Sequence, residues 1–492
     1  MLSSLDCDRL RDHLRAAAYD VDAVGARLGA SGLAGLARNT TLAAADALGS
    51  EVDAQATLIR LFLLQQEVAV EHVRATLGEP ESLLAAGVLA SSGEGIRAGI
   101  ELRPYATDEG FDGLICSDLA PNLDGRLAAP RPDFVLGVSP ASTTLAQLTV
   151  RTPVGSALDL GTGCGVQSLH LSTHADRVVA TDLNPRAVAM ARLTARLNGI
   201  ELDVREGSLY QPVAAEAFDL IVTNPPYVMS PPGADRLVYR EGSMLADDLV
   251  RQVITEGAGR LNPGGVLQVL GNWAITEAET WSERLEGWIR PTGCDALVLQ
   301  REHLDPYEYI EIWLADAGLL GTGEYRSRYR EWVDYFDHLG IVGVGLGWIT
   351  LYNTERATPQ LTIQEWPHLV HQPVGQAFAA HPAALSAAAL EDHALLASTW
   401  MLADDVIQET LGLPGAADPA HIVLRQTSGF GRSVEADTGL AAVLGACDGD
   451  LPLGLLIGGV ADLLDADQAA LAADLLPRLR PLIAEGLLRP AE

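Results

Sequence analysis

Three pieces of one stretch decide the fold: ALDLGTGCG (157–165), VVATDLNP (178–185) and FDLIVTNPPY (218–227). Each is a short apolar run that ends in a polar or glycine-rich turn. Runs of this kind suit parallel strands buried on both faces of a sheet. Ligands of open α/β sheets bind beyond the carboxyl ends of such strands. Asp159, Asp182 and Asn224 fall at those ends or close to them, so the spacing predicts one crevice served by three strands.

The first turn is Asp159-Leu160-Gly161-Thr162-Gly163-Cys164-Gly165. Alternate glycines let the backbone turn tightly and let a ligand approach where a Cβ would intrude. A helical VQSLHLS follows, and the next strand ends in an acid, Asp182. An acid there can accept the two hydroxyls of a ribose, as in dinucleotide folds. The rhythm is GxGxG rather than GxGxxG, and no phosphate is implied. Asn184-Pro185 predicts the start of a helix with Ala187, Met190, Ala191, Thr194 and Leu197 inward, ended by Asn198-Gly199.

The most specific signal is Asn224-Pro225-Pro226-Tyr227. Two prolines cannot extend a central strand, and they stiffen the turn. The Asn224 side-chain oxygen and the Pro225 carbonyl are two acceptors, and Tyr227 supplies a flat face. Together they suit a planar NH₂ group with both hydrogens engaged and the nitrogen left free to react.

On these motifs the region from about Asp133 to Asn353 resembles class I S-adenosylmethionine-dependent methyltransferases of the NPPY type. It is similar to release-factor (protein) glutamine N-methyltransferases and their "methyltransferase small" domain, and more loosely to rRNA guanine and adenine-amino methyltransferases. The resemblance implies an α/β fold with a Rossmann-like, seven-stranded core and S-adenosyl-L-methionine as cofactor. It implies that Asp159, Gly161, Thr162, Gly163 and Gly165 surround the methionine end, that Asp182 binds the ribose, and that Leu183, Ser208 and Asn224 complete the cofactor set. Asn224, Pro225, Pro226 and Tyr227 are the implied catalytic residues. Ser208, in EGSLYQP, stands where the family usually has an acid touching the adenine amine.

The chain has 492 residues, 48% of them hydrophobic, which describes a folded protein of several domains. Its 65 acids outweigh 33 bases, every one an arginine, for a formal charge of −32. That balance weighs against a surface that tracks nucleic-acid phosphates. A protein or peptide acceptor is therefore favoured, with a glutamine side-chain amide suggested by the resemblance. The alternatives are an exocyclic amine of an RNA or DNA base, and a non-catalytic scaffold that binds the cofactor. Five scattered cysteines suit a reducing compartment. The opening MLSSLDCDRLRDHL lacks a signal-like apolar core, and no apolar run is long enough to span a membrane, so a cytoplasmic protein without membrane partners is expected. His170 and His174 are four apart but lack a third ligand, so no metal is expected.

Domain boundaries are expected near residues 128 and 354. Residues 1–128 read as helices followed by extended segments at Ile96–Tyr105 and Gly113–Leu119, a winged-helix order. The third helix, within ESLLAAGVLA, carries no arginine, which favours packing or protein binding. Residues 129–354 hold the methyltransferase core. Residues 355–492 read as a second helical, winged-helix-like module, with a helix over His393–Gln408 and a strand over Ile422–Gln426. Within the core, Asp133–Pro140 is either an entry loop or a flap over the cofactor. The loop after Tyr227 offers Arg236, Arg240, Glu241, Asp247 and Asp248 as substrate contacts or as a solvated surface. The glycines of Gly343–Gly347 suggest a sheet-edge strand.

Overall fold

The computed structural model describes residues 2–107, 110–125, 131–233, 244–414 and 419–491. The chain divides into two compact units, Met1–Ala146 with Pro153–Gln364, and Gln147–Thr152 with Glu365–Glu492.

The first unit is built on eight strands: β1 (Val154–Leu160), β2 (Ala175–Asp182), β3 (Asp203–Glu206), β4 (Phe218–Thr223), β5 (Leu261–Thr276), β6 (Asp295–Leu304), β7 (Ile341–Tyr352) and β8 (Leu361–Glu365). They lie in the order β8-β6-β7-β5-β4-β1-β2-β3. Strands β3, β2, β1, β4 and β5 pair in parallel, whereas β7 runs antiparallel between β5 and β6. The α/β core with seven strands is therefore present, and β8 adds an eighth at its edge. The connections from β1 and β4 leave toward opposite sides of the sheet. Their carboxyl ends are neighbours (Leu160 pairs with Thr223), which opens a crevice at the switch point.

Helices α1 (Val166–Leu171) and α2 (Pro185–Asn198) follow β1 and β2. The α2 boundaries arise as its sequence dictates. The Asn184 side chain accepts from the Arg186 N–H at 2.9 Å, proline stands in the first turn, and Gly199 closes the helix at φ 68°. The inner face of α2 joins a core shared with the N-terminal segment, in which Ala187, Met190 and Leu197 pack with Leu10, Val73, Leu102 and Cys116.

The N-terminal segment has winged-helix order with strands other than those expected. Strand 68–69, which precedes helices Val70–Leu77 and Glu81–Ala85, joins 95–98 and 89–92 in one small antiparallel sheet, while Glu101–Ala106 and Asp112–Ser117 form a separate hairpin. The expected strand Ile96–Tyr105 breaks at Gly99, where a Cβ would lie 2.3 Å from the Gly87 carbonyl oxygen. The separate hairpin docks on α2. Asn198 accepts from Leu114 N–H at 2.8 Å and donates to its carbonyl at 2.7 Å, and Thr194 Oγ1 accepts from Cys116 N–H at 3.1 Å.

Strand β7 lies inside the sheet and not at its edge. Its glycines clear space for a tryptophan, since a Cβ on Gly345 would lie 2.1 Å from Trp273 Nε1 and 2.3 Å from Gln300 Oε1. The indole of Trp273, donating to Gln300 at 2.9 Å, occupies that space. The arginine- and tyrosine-rich helix Tyr325–Leu339 turns Trp332 and Phe336 into a core with Tyr309 and Ile310.

The second unit has its own core around Trp400, Leu440, Ile457, Leu475 and Leu479. Its sheet places Thr399–Leu402 between Asp448–Pro452 and Leu488–Pro490, antiparallel to both. Helices Leu453–Leu463 and Gln468–Ala484 connect the outer strands. The N-terminal sheet has the same arrangement around 95–98, but there the middle strand comes last in the chain. The helix expected over His393–Gln408 stops at Ala397, because Thr399-Trp400-Met401-Leu402 is that middle strand and buries Trp400. His421–Gln426 is the strand expected nearby, paired with Val406–Leu411 and Ser433–Ala436.

Candidate active site

The carboxyl ends of β1, β2 and β4 surround a cavity of about 300 Å³. Asp159, Gly161, Thr162, Gly163, Asp182, Leu183, Ser208, Asn224, Pro225 and Pro226 all line it, so one crevice gathers nearly every residue singled out from the sequence. Gly165 and Tyr227 do not line it. Gly165 starts α1 at φ 86°, with the place of a Cβ 3.3 Å from the Ala191 Cα.

The glycine turn is shaped by backbone demands. Gly161 and Gly163 have φ of 75° and 55°, in the left-handed region that other residues rarely enter. Asp159 is buried beneath the turn. Its Oδ2 accepts from Thr162 Oγ1 at 2.6 Å, Ser168 Oγ at 2.6 Å and Ser168 N–H at 3.0 Å. Burial raises its carboxyl to about 6, and the hydrogen bonds from Ser168 and Thr162 oppose that rise. One oxygen of Asp159 thus braces the turn onto the first turn of α1. Thr223 Oγ1 donates to the Leu160 carbonyl at 2.8 Å and ties β4 to β1 at the mouth of the crevice.

Asp182 is committed in part. Its Oδ2 accepts from Gly163 N–H at 2.9 Å and its Oδ1 from Asn184 N–H at 2.8 Å. Burial raises this carboxyl as well, against the backbone hydrogen bonds. A carboxylate offers about four acceptor positions, so each oxygen keeps one for a further donor. Leu183 stands 59% exposed at the cavity wall, an apolar surface for a planar ring. Ser208 and Leu209 face it from the turn after β3.

The wall opposite is the segment Phe134–Gly137, with Phe134 and Val135 buried. It is fastened rather than loose. Asn184 Nδ2 donates to the Asp133 carbonyl at 2.9 Å, Val135 N–H donates to Asp118 at 2.8 Å, and Arg186 forms a bidentate ion pair with the same Asp118. The segment read from the sequence as an entry loop or a flap thus lines the cavity as a fastened wall.

At the end of β4, Pro225 is buried and Asn224 half-buried. The Asn224 Oδ1 atom is shielded from water and has no hydrogen-bond partner among the described residues. A buried, unpaired carbonyl oxygen costs roughly 1–3 kcal/mol, which a ligand donor would recover. Tyr227 meets Trp313 edge-on, with ring centroids 6.4 Å apart, and burial raises its phenol. Tyr309 holds the chain that follows. Its hydroxyl accepts from Met229 N–H at 3.0 Å and from Asn272 Nδ2 at 2.8 Å.

Of the loop residues offered as substrate contacts, Arg236, Arg240 and Glu241 lie outside the described residues. Asp247 is buried and spent on Arg284 (2.7 and 2.8 Å) and Ala274 N–H (2.7 Å), and Asp248 pairs with Arg251 at 2.8 Å. His170 Nε2 pairs with the Tyr105 hydroxyl at 2.7 Å, and among the described residues no group of side chains could hold a metal ion. No helix among them is long and apolar enough to cross a membrane. Ser168 braces Asp159 and Met244 lines the cavity, and neither was singled out from the sequence.

Residues 137–287 match the family model described as "Methyltransferase small domain". Residues 16–99 and 376–490 match two domains of unknown function, DUF7059 and DUF7782. A release factor glutamine methyltransferase of Geobacter sulfurreducens is 34% identical over 30% of this chain and 55% of its own length. A ribosomal RNA small subunit methyltransferase C of Salmonella arizonae is 30% identical over 35% of this chain and 44% of its own. The chain thus spans about half the length of the curated relatives it matches. Among solved structures, a T. thermophilus 16S rRNA N2 G1207 methyltransferase in complex with AdoMet and guanosine aligns over 44% of this chain and 55% of its own, at 21% identity and a TM-score of 0.26. The crevice-bearing middle of the chain is a methyltransferase small domain of the class I, S-adenosylmethionine-dependent kind.

Proposed function

We propose that this protein methylates a planar NH₂ nitrogen, and that the nitrogen belongs to a glutamine side-chain amide of a protein or peptide. The observation that carries the reading is Asn224 Oδ1, a buried acceptor without a donor at the rim of the cavity. When bound, S-adenosylmethionine supplies a methyl group already activated on a sulfonium. The glycine turn at Gly161 and Gly163 leaves room for its methionine end, the free acceptor positions of Asp182 take ribose hydroxyls, and Leu183 and Ser208 border the adenine.

The residues of the chain then act on the acceptor. An amide nitrogen is a weak nucleophile because its lone pair is delocalised. Asn224 Oδ1 and the Pro225 carbonyl accept its two N–H bonds, raise electron density on nitrogen and favour the positive charge that develops there. Such contacts are worth more in a low-dielectric, preorganised site than in bulk water. Tyr227, steadied by Trp313, keeps the NH₂ plane oriented, and correct placement supplies much of the rate. No strong base is needed, since the methylated nitrogen sheds its proton readily.

The acidic charge of −32 supports a protein acceptor over a polyanion. A base amine of RNA is the second reading, favoured by the similarity to ribosomal RNA methyltransferases. We read the chain as three parts, 1–128, 129–354 and 355–492, with the middle part as the catalyst. The test is to offer methyl-labelled cofactor and purified protein to extract from cells lacking the gene. Label in a protease-sensitive, nuclease-resistant fraction supports the reading; label lost on nuclease treatment overturns the choice of acceptor.

A further inference from the structure

The second unit has the helix-and-sheet order of a winged helix but not the surface of one that grips nucleic acid. Four of its arginines are spent on internal ion pairs, Arg425 with Glu409, Arg432 with Glu485, Arg478 with Asp437 and Asp474, and Arg480 with Asp392. What it exposes instead is apolar. On helix Leu453–Leu463, Leu455 and Leu463 are 63% and 86% exposed, two turns apart on one face. Gly459 between them has nothing within 4 Å of the place of its Cβ. Leu451, four residues before Leu455, is exposed, and so is Leu464. The stripe from Leu455 to Leu463 is about 12 Å long, the length of two to three turns of a partner helix. The opposite face of the same helix, with Leu453, Ile457 and Val460, is already buried in the core of the unit.

Carboxylates flank this stripe. Asp462 and Asp465 stand at its far end, and Asp448 and Asp450 at the near one. All four are exposed and have no ion-pair partner among the described residues. The nearest cation by strand register is Arg489, opposite Met401, which is itself opposite Asp448. Four acids against one base leave a net negative rim around an apolar centre. Exposed apolar surface with a polar rim marks a docking site, and the sign of the rim selects the partner.

We propose that this face of the second unit docks a basic, amphipathic protein segment, leucine side to leucine side, with its cations over Asp448, Asp450, Asp462 and Asp465. The inference stands apart from the methyl-transfer reading, because it concerns a different unit and needs no turnover. The probe is a fluorescein-labelled synthetic helix of about 18 residues, with leucines on one face and lysines on the other. Three competitors accompany it: the same peptide with serine for leucine, the same with glutamate for lysine, and an RNA duplex. Fluorescence anisotropy with the full chain should show binding of the first probe alone, weakening with salt. The double variant Leu455→Ser/Leu463→Ser should weaken it by about tenfold or more, and Asp462→Asn/Asp465→Asn should flatten the salt dependence. Far-UV circular dichroism and the thermal unfolding profile of the full chain should match wild type in both variants, which shows that the second unit still folds. Equal binding by the serine variant, equal binding of the leucine-free peptide, or preference for the RNA duplex would overturn the proposal.

Discussion

Replacing Asp159 by asparagine tests the account of the glycine turn. Burial holds this carboxyl at about 6 against an ordinary 3.8, so the folded state binds its proton more tightly than the unfolded chain does. Stability from this group is therefore fullest below about pH 4, falls as the pH rises, and is lost above about pH 6. The gap between 3.8 and about 6, at 1.36 kcal/mol per pH unit, amounts to about 3 kcal/mol. Asparagine keeps an acceptor for Thr162 and Ser168 but has no proton to release. Asp159→Asn should then gain on the wild type by about 3 kcal/mol between pH 4 and pH 7, a shift of up to roughly 1 M in the urea midpoint for a unit of this size. Tryptophan fluorescence reports mainly this unit, because six of the eight tryptophans, Trp273, Trp281, Trp288, Trp313, Trp332 and Trp348, lie in it. A stability difference that does not change across this pH range, or changes in the opposite sense, would refute the reasoning.

Asp182→Ala should weaken S-adenosylmethionine binding by about 1.5–3 kcal/mol in calorimetry, through loss of charge-assisted hydrogen bonds; unchanged affinity in the folded variant removes the ribose assignment. Tyr227→Phe should retain most labelling activity and Tyr227→Ala little, and equal damage by both would assign the role to the hydroxyl instead of the ring. Gly345→Ala should lower the thermal midpoint by an amount equivalent to about 1–3 kcal/mol, because the new methyl falls on Trp273 and Gln300; a neutral result contradicts the packing described for β7.

What the sequence made legible was local. A strand followed by a glycine turn, an acid and an Asn-Pro-Pro-Tyr turn each announce themselves through backbone constraint. Chain order then places them at neighbouring strand ends. What stayed hidden depends on distant partners. Nothing in the helix VQSLHL marks Ser168 as the brace of Asp159, since a serine in a helix is ordinary until its neighbour is known. Asp247 looked like a loop acid available to substrate because its partner Arg284 lies 37 residues away. The glycines of β7 suggested an edge, whereas the cause is one large ring, Trp273, on the neighbouring strand. In the second unit the middle strand of the sheet comes before its neighbours in sequence, so TWML was absorbed into a preceding helix.

The central claim is that Asn224 holds the acceptor nitrogen. It is tested most directly by comparing wild type with Asn224→Ala in two measurements on the same preparations: the affinity for S-adenosylmethionine and the rate of label transfer to extract from cells lacking the gene. Cofactor affinity should stay within about twofold of wild type and transfer should fall by roughly 10²–10³, the loss expected when one preorganised hydrogen-bond partner is removed. Transfer that persists near the wild-type rate with affinity intact would contradict it.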